Sequence, residues 1–370
     1  MKLLNILLLT VSIGSGHKRA AQSLAAAFGK LVPDAYIRII DLLDFFPSSI
    51  VYSCLQLYFK SLAVFPQGYG YIYAWGNKSS VAGQGNRLLS SFLLKRLKQC
   101  IFNFVPDVVI CTHATAAATI DFWAKQEVLN FYRAGVVTDF VVHRLWLYSS
   151  IDDYFVADDK IGKNVCKQNN LPVSKFHAFG IPVAENFSVG RKVINTSMVK
   201  HILVMGGGSG LLPMVDIFKT LSTIGYPLQI TFITGNNKKL YTILSNLVNN
   251  SKQQSVQVLG FVDDVFAVMK NADLLISKAG GMTMSEALCV GLPVLLYRPL
   301  PGQERANADF LIEHGVAIEF FNNKDLTKII DEIFRIELEK LKLMRDSALA
   351  LAKKDANFRI AEYILNKLSI

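Results

Sequence analysis

The chain has 370 residues, more than one compact core usually covers, so we expect two domains of similar size. Hydrophobic residues make up 51% of it, which supplies material for buried sheets and excludes disorder as its general state. A net charge of +10 favours an anionic partner: nucleic acid, an acidic membrane surface or a phosphorylated ligand.

The cysteines and the apolar runs narrow the class of protein further. The five cysteines are far apart and form no CxxC pair, so the sequence predicts neither a disulfide framework nor a zinc site, and a reducing cytosol fits best. The start of the chain, LLNILLLTVSIG after Met1-Lys2, imitates a short signal peptide, but an α/β domain needs this run as its first buried strand. No stretch reaches the roughly 18 uninterrupted apolar residues of a spanning helix, so we expect a soluble or peripheral protein.

Short apolar runs alternate with helical patterns along the chain. In the first half they cover residues 6–11, 36–40, 108–111, 135–137 and 151–157, and in the second half they begin at residues 201, 228, 256, 272 and 293. Most are too short for helices and too apolar for half-exposed strands. This pattern predicts buried parallel strands separated by helices.

The segment GIPVAENFSVGRKVINTS, residues 180–197, interrupts both series with Pro, Gly and polar residues, and we place the interdomain linker there. The prediction is an α/β fold of two doubly wound Rossmann-like domains, residues 1–188 and 198–345. Residues 346–370 form a C-terminal helix that can pack back on the first domain. Ligands of such sheets bind at the carboxyl ends of the strands, so the glycine-rich turns of both domains would point into one cleft.

The first candidate site is SIGSGH, residues 12–17, between the first strand and a helix from about Lys18. Gly14 and Gly16 allow a tight turn in which the backbone approaches a ligand closely. His17 can accept a proton from a hydroxyl at neutral pH. It can equally cap the helix or satisfy a buried polar group, and the residues alone leave both interpretations open.

A second glycine-rich turn, MGGGSG at residues 205–210, also follows a strand. Its successive N–H groups and the Ser209 hydroxyl would form a cradle for a phosphate or diphosphate. A plain turn is the alternative, although such a turn has no need of three consecutive glycines.

The segment from Ser277 to Leu311 is the richest in polar groups beside glycines. Gly280 and Gly281 end a strand, and Thr283 can cap the next helix. Glu286 is then either the acid of a capping box or a bidentate acceptor for two neighbouring sugar hydroxyls. The next loop brings three groups of the kind that read sugar hydroxyls, unless it is a proline-rich surface loop: Gln303, Glu304 and Asn307.

Two further titratable residues, Asp139 and His143 in VVTDFVVHRLW, follow a strand and so belong at the same cleft. Either can assist an acceptor, or Asp139 can cap a helix while His143 is structural. Metal binding is poorly supported, because there is no HExxH motif, no pair of carboxylates at metal spacing and no cysteine cluster.

Taken in order, the motifs SIGSGH, VVTDF, DDYFVA, GIPV, MGGGSG, GFVDDV, SKAGGMTMSEAL, GLPVL and PLPGQERANA resemble those of the diacylglycerol glycosyltransferases of glycosyltransferase family 28. These are the bacterial processive diacylglycerol β-glucosyltransferases and the plant monogalactosyldiacylglycerol synthases. The match runs from about Leu3 to about Ala317. More distantly, the chain is similar to the transferase that adds N-acetylglucosamine to a peptidoglycan lipid precursor.

The resemblance implies a GT-B fold, an inverting reaction and a UDP-sugar donor, with no metal or other cofactor. His17 would be the base that deprotonates the acceptor hydroxyl of diacylglycerol, and Asp139 is the next candidate. The plant enzymes more often have a third glycine before the histidine, where this chain has Ile13-Gly14-Ser15-Gly16. Glucose is therefore favoured over galactose as the hexose.

The resemblance also implies which residues bind the UDP-sugar: Gly16, Gly207, Gly208, Ser209, Phe261, Val262, Gly281, Thr283, Glu286, Gln303, Glu304 and Asn307. Gly207, Gly208 and Ser209 would hold the diphosphate, and Phe261 and Val262 would meet the uracil. Thr283 would contact a phosphate and Glu286 the ribose. The last three would engage the hexose or hold the loop that does.

Between Asp44 and Asp107 the sequence has no acidic residue and interleaves basic with aromatic ones. Diacylglycerol stays in the bilayer, so the resemblance makes this stretch the part that reaches an anionic membrane surface, peripherally and on the cytoplasmic face. Basic residues there gain roughly 1 kcal/mol each, and aromatics settle at the headgroup level. Many of these aromatics could instead belong to the core.

Several other functions compete with this interpretation. The acceptor could be a prenyl-linked or soluble sugar, the reaction could be the epimerisation of a UDP-sugar, or the protein could be a catalytically dead UDP-sugar sensor. A nucleic-acid binder would suit the charge, but the basic stretch has no RRM, KH or helix-turn-helix pattern, so nucleic acid is not expected as a partner.

Overall fold

The computed structural model describes residues 3–64, 80–169, 171–189, 199–208, 210, 212–251 and 255–369, without the side chains of residues 58–64, 80–89, 164, 167–169 and 338. Contacts divide the chain into two compact units. The first contains Met1–Glu185, Leu300–Ala306 and Lys354–Ile370, and the second contains Asn186–Pro299 and Asn307–Lys353. Of the expected linker, residues 180–189 are described, and the division between the units falls there, after Glu185.

The first unit contains a parallel sheet of strand order β2-β1-β3-β4-β5-β6. The strands are Asn5–Thr10 (β1), Tyr36–Asp41 (β2), Val108–Cys111 (β3), Tyr132–Val136 (β4), Asp153–Phe155 (β5) and Phe176–His177 (β6). Alternate residues of β1 point to opposite faces, so Leu7 and Leu9 enter one core cluster while Ile6 and Leu8 enter another. The sheet is therefore buried on both faces, as apolar strands of a parallel sheet require.

Helices cover these faces. Those before residue 170 are Ser15–Leu31 (α1), Ser48–Val64 (α2), Ser80–Phe104 (α3), Ala114–Ala124 (α4) and Asp159–Asn169 (α5). Short 3₁₀ helices at Leu42–Phe45 and Arg144–Trp146 follow β2 and β4. Within the described residues, none of the helices is both long enough and apolar enough to cross a bilayer.

The second unit contains another parallel sheet, of strand order β12-β11-β10-β7-β8-β9. Its strands are Lys200–Met205 (β7), Leu228–Ile233 (β8), Val256–Leu259 (β9), Leu274–Ser277 (β10), Val294–Tyr297 (β11) and Ala317–Phe320 (β12). The helices along this part of the chain are Met214–Leu221 (α6), Lys238–Asn250 (α7), Val265–Met269 (α8), Gly281–Val290 (α9), Gln303–Glu313 (α10), Asn323–Asp331 (α11) and Leu338–Leu351 (α12). A π-helical turn, Glu332–Ile336, follows α11.

Each sheet has a point at which the strand order reverses. It lies between β1 and β3 in the first sheet and between β7 and β10 in the second. Doubly wound sheets bind ligands outside the carboxyl ends of the strands at such a switch point. The predicted fold class, α/β with two doubly wound Rossmann-like domains, is confirmed, and three of the glycine-containing motifs follow the strands that flank the switch points.

The last helix, Ala356–Lys367 (α13), belongs to the first unit and packs on α1. Its Ile360 and Ile364 share a core cluster with Leu24 and Phe28. The single helix predicted for residues 346–370 is instead divided between the end of α12, in the second unit, and α13, which covers part of the first sheet.

A polar cluster joins α13 to the edge of the first sheet. The carboxylate of Asp153 accepts hydrogen bonds from Nε2 of His177 at 2.6 Å, from the Tyr363 hydroxyl at 3.4 Å and from the Tyr132 hydroxyl. Burial would raise the pKa of Asp153, but the bonds from His177 and Tyr132 outweigh it and lower that pKa below its usual value. The charged form of Asp153 therefore stabilises the folded first unit.

Asp153→Asn should lower the free energy of unfolding by about 1–3 kcal/mol, because the buried network loses its negative charge and one of its two acceptor oxygens. The pKa of Asp153 is lowered in the folded protein, so its contribution is complete above the ordinary value of 3.8 and is lost as the pH falls below it. Urea denaturation of both proteins between pH 3 and pH 7 should show the difference shrinking towards the acid end. Asp34→Asn, at an exposed turn, is the control; an equal loss there would contradict the assignment.

Candidate active site

His17 lies in the first turn of α1, at the carboxyl end of β1. The helix begins at Ser15 with Gly14 as its N-cap, earlier than the start predicted near Lys18, and Gly16 is inside that first turn. Gly14 has extended backbone, φ −166°, which any residue can adopt, and a Cβ atom there would meet nothing within 4 Å. The conformation of Gly14 therefore does not itself require glycine, and the close approach of this turn to a ligand stays a prediction.

The imidazole of His17 is held by the ends of two other strands. Its Nδ1 lies 2.9 Å from the carbonyl oxygen of Thr112, after β3, and 2.8 Å from the hydroxyl of Thr138, after β4. A carbonyl oxygen can only accept, so Nδ1 carries the proton and donates it. Nε2 then carries the lone pair that a general base needs.

The charge state of His17 follows from its surroundings. Burial lowers its pKa below the usual 6.5, while the negative charge of Asp139 and the bond to the Thr112 carbonyl oppose that shift. His17 is therefore neutral at neutral pH and can accept a proton. Asp139, which follows Thr138, is near enough for its carboxylate to stabilise the imidazolium that would form.

A second histidine, His113, packs against His17. The two ring centroids lie 4.7 Å apart, and the rings are nearly perpendicular, at 84°. His113 is the N-cap of α4, where its Nδ1 accepts a hydrogen bond from the N–H of Thr115 at 3.1 Å. Burial and the neighbouring His17 hold the pKa of His113 well below its usual value. The switch point of the first sheet is thus lined by a pair of neutral histidines.

His143 has a structural contact. It is buried, and its Nδ1 accepts from the N–H of Leu145 at 3.1 Å, which caps the 3₁₀ helix Arg144–Trp146. Of the two alternatives for this residue, the capping role is the one the geometry shows.

In the second unit, the loop after β7 packs tightly against the loop after β8. A Cβ atom on Gly210 would lie 2.5 Å from the Thr234 carbonyl oxygen, and one on Gly235 would lie 2.5 Å from that of Gly208. The N–H of Asn236 donates to the same Gly208 oxygen at 2.9 Å. Two glycines therefore serve the contact between the loops.

At Gly207 the backbone conformation alone favours glycine, with no close contact of the kind that Gly210 and Gly235 also have. The φ of Gly207 is +70°, in the left-handed region, while a Cβ atom there would meet nothing within 4 Å of the loop. Ser209, predicted to bind the diphosphate, lies outside the described residues.

Helix α9 begins at Gly281, directly beyond β10, with Gly280 as an N-cap that has no side chain to offer. Thr283 is therefore inside the first turn, half-exposed, and the expectation that it caps this helix is wrong. The capping-box alternative for Glu286 fails with it, because the box needs a Ser or Thr at the N-cap. Glu286 is buried, at 1% exposure.

Asn307 and Glu304 have contacts within the chain. The buried Asn307 amide donates to the Ala279 carbonyl oxygen at 2.9 Å and so holds the connection between β10 and α9. A Glu304 carboxylate oxygen accepts from the Leu300 N–H at 3.1 Å, at the start of α10. Gln303 and Glu304 belong to the segment Leu300–Ala306 of the first unit, whereas Asn307 belongs to the second.

Phe261 and Val262 follow β9, two strands away from β7 in the second sheet. The Phe261 side chain is 54% exposed, and Val262 is half-buried. An exposed aromatic ring beyond a strand end is suited to contact a planar base.

Both halves of the chain match models of known protein families. Residues 17–183 match the family model of monogalactosyldiacylglycerol (MGDG) synthase, and residues 201–360 match that of the glycosyltransferase family 28 C-terminal domain. Residues 201–360 are a glycosyltransferase family 28 C-terminal domain, and the chain is a glycosyltransferase. A processive diacylglycerol beta-glucosyltransferase of Bacillus pumilus (strain SAFR-032) is 28% identical to this glycosyltransferase, over 98% of this chain and 94% of its own.

Solved structures show the fold of this glycosyltransferase. The crystal structure of Acinetobacter baumannii MurG matches with a TM-score of 0.63 at 17% identity, over 98% of this chain and 99% of that one. The UDP co-structure of S. aureus MnaA matches with a TM-score of 0.66 at 15% identity, over 99% and 97%. The GT-B fold class predicted from the sequence is confirmed.

Three residues at the glycosyltransferase's first switch point were missed by the sequence reasoning: Thr112, His113 and Thr138. His113 stands just after the predicted strand of residues 108–111, and a histidine in that position was a usable signal. Thr112 acts through its backbone carbonyl, which leaves no trace in the sequence.

Gly235→Ala should lower the free energy of unfolding of the second unit by about 1–3 kcal/mol, because the new Cβ atom meets backbone and φ is +60°. Thermal unfolding measures the loss. Gly225→Ala is the matched control, since a Cβ atom there would meet nothing within 4 Å. Equal stability of the two variants would contradict the close contact between the loops after β7 and β8.

Proposed function

We propose that this glycosyltransferase transfers a hexose, glucose in preference to galactose, from a UDP-sugar to diacylglycerol with inversion at the anomeric carbon. The observation that carries the proposal is the neutral His17 at the first switch point, whose Nδ1 is committed to Thr112. The Bacillus relative is named for this reaction, and the first half of the chain matches a family that makes a diacylglycerol glycoside.

In the proposed reaction, Nε2 of His17 takes the proton of the diacylglycerol hydroxyl. The hydroxyl oxygen attacks the anomeric carbon, the bond from that carbon to the diphosphate breaks, and UDP leaves with the bonding electron pair. The imidazolium is stabilised by the Asp139 carboxylate and by the Thr112 carbonyl. General-base help of this kind supplies roughly 10²–10⁴ in rate.

The second unit supplies the donor site in this proposal. The backbone N–H groups of the loop after β7 and of the first turn of α9 meet the diphosphate, and Thr283 contacts a phosphate. Glu286 binds the ribose, and Phe261 packs on the uracil with Val262. Asn307 positions the β10–α9 connection through Ala279. Groups placed in advance for the charge of the departing UDP let the reaction proceed without a metal.

The proposed acceptor requires contact with a membrane. Several apolar side chains before and after the undescribed part of the acid-free stretch are exposed: Ile50, Tyr52, Leu57, Phe92 and Phe102. Phe45 and Phe46 pack against the core, as expected for some of the aromatics. The side chains of residues 58–89 lie outside the described part of the chain. We propose peripheral binding to the anionic cytoplasmic face of a membrane, with no nucleic-acid partner.

The alternatives are less well supported. An epimerase or a transferase with a soluble acceptor has little use for exposed aromatics beside basic residues, and the curated relative acts on diacylglycerol by name. A sugar-nucleotide sensor would not need a tautomer-fixed histidine.

Vesicles that contain diacylglycerol and anionic phospholipid should yield glycolipid when incubated with the protein and labelled UDP-glucose, and less with UDP-galactose. EDTA should leave the rate unchanged, because the proposal has protein groups, and no metal ion, stabilise the charge of the departing UDP. Thin-layer chromatography of the extracted lipid measures the product. No glycolipid from either donor would refute the proposed acceptor.

His17→Ala should lower kcat by roughly 10²–10⁴ and leave the Kd for UDP nearly unchanged, because the base does not touch the nucleotide. In the wild type, kcat/KM should rise with pH with a midpoint below 6.5, since His17 must be neutral and its pKa is lowered. His314→Ala, on the second unit's α10–β12 connection, is the control. A full rate in His17→Ala would move the base to Asp139.

A further inference from the structure

We propose that His113 is a positioning residue: its ring holds the His17 imidazole in the orientation in which Nδ1 donates to Thr112 and Nε2 is left for the acceptor. This inference rests on the proposed transferase function, because it concerns the same base. His113 was not among the residues expected from the sequence.

The contact geometry carries the inference. The Thr112 carbonyl and the Thr138 hydroxyl hold one atom of the His17 ring, Nδ1, and a ring held at one atom can still tilt. His113 supplies a second, independent contact, with ring centroids 4.7 Å apart at 84°. The two together fix the plane of the imidazole, which general-base catalysis needs, since the accepting lone pair must point at the hydroxyl.

The hydrogen bond by which His113 caps α4 also fixes the His113 ring. Its Nδ1 must keep a lone pair to accept the Thr115 N–H at 3.1 Å, so its proton is on Nε2. Taking up a second proton would break the cap at the start of α4. His113 therefore stays neutral while His17 becomes an imidazolium, and it does not repel the charge that forms.

Ionisable groups reach His17 from the neighbouring strand ends. Asp139 acts from the connection after β4, and His113 from the connection after β3. The His113 ring also takes the place of water beside His17, which contributes to the burial that lowers the pKa of His17. Removal of the ring should therefore raise that pKa towards 6.5.

His113→Asn separates the ring contact from the cap, because Asn is among the best N-cap residues and its side chain can accept the Thr115 N–H. His113→Ala removes both. Asn322→Ala is the matched control for cap loss alone: Asn322 caps α11 in the second unit by accepting from the N–H groups of Lys324 and Asp325.

His113→Asn should keep the wild-type thermal stability but lower kcat about tenfold with the KM for the UDP-sugar unchanged, and move the acid limb of kcat/KM to higher pH. His113→Ala should show the same kinetic changes and a lower Tm. Asn322→Ala should lower Tm without any change in the pH profile. A His113→Asn variant with wild-type kcat and pH profile would reduce His113 to a helix cap and overturn the inference.

A readout that does not need activity separates this inference from the proposed function. In protein labelled at histidine Cε1, the six histidines give a countable set of NMR signals, and the one missing from His17→Ala belongs to His17. Its titration midpoint should rise in His113→Asn. An unchanged midpoint overturns the positioning role even if sugar transfer is confirmed. A raised midpoint supports it even if no glycolipid forms.

Discussion

The hydrogen bond from Nδ1 of His17 to the carbonyl of Thr112 is the interaction on which the first switch point depends. It joins the residues that follow β1 to those that follow β3, and the register of that strand pair puts the two in reach: Leu9 pairs with Cys111, and the Thr112 N–H donates to the Leu9 carbonyl. A slip of one residue would turn Thr112 away and leave the imidazole without a fixed tautomer. The register of β1 against β3 thus also determines which nitrogen of His17 carries the proton.

The second unit also has a switch point in its sheet, but different groups lie beside it. Glycines lie on both sides of its switch point: Gly207 is in the loop after β7, and Gly280 and Gly281 are at the start of α9. The buried Asn307 supports the backbone between β10 and α9, because its amide donates to the Ala279 carbonyl oxygen. In the proposed reaction, the first unit provides a side-chain base and the second provides backbone N–H groups.

Strand periodicity carried most of the fold prediction, since buried parallel strands read as short apolar runs. It missed β6 and β12, because Phe176–His177 is too short to show a period and Ala317–Phe320 contains a charged residue. Both helix starts at the sites were predicted too late, because glycine N-caps carry no polar side chain to mark them. The pairing of His17 with His113 depends on β1 and β3 being neighbours, which strand order in space decides and spacing in the chain does not.

The position of α13 has a consequence for how the protein is made. The first unit begins with β1 and α1, yet its core is closed by Ile360 and Ile364, which are synthesised after the whole second unit. During translation the apolar face of α1 stays uncovered while more than half of the chain emerges, so it is exposed to chaperones and to aggregation. The domain that starts first is completed last, so a chain that ended before α13 would contain all of the second unit and only part of the first.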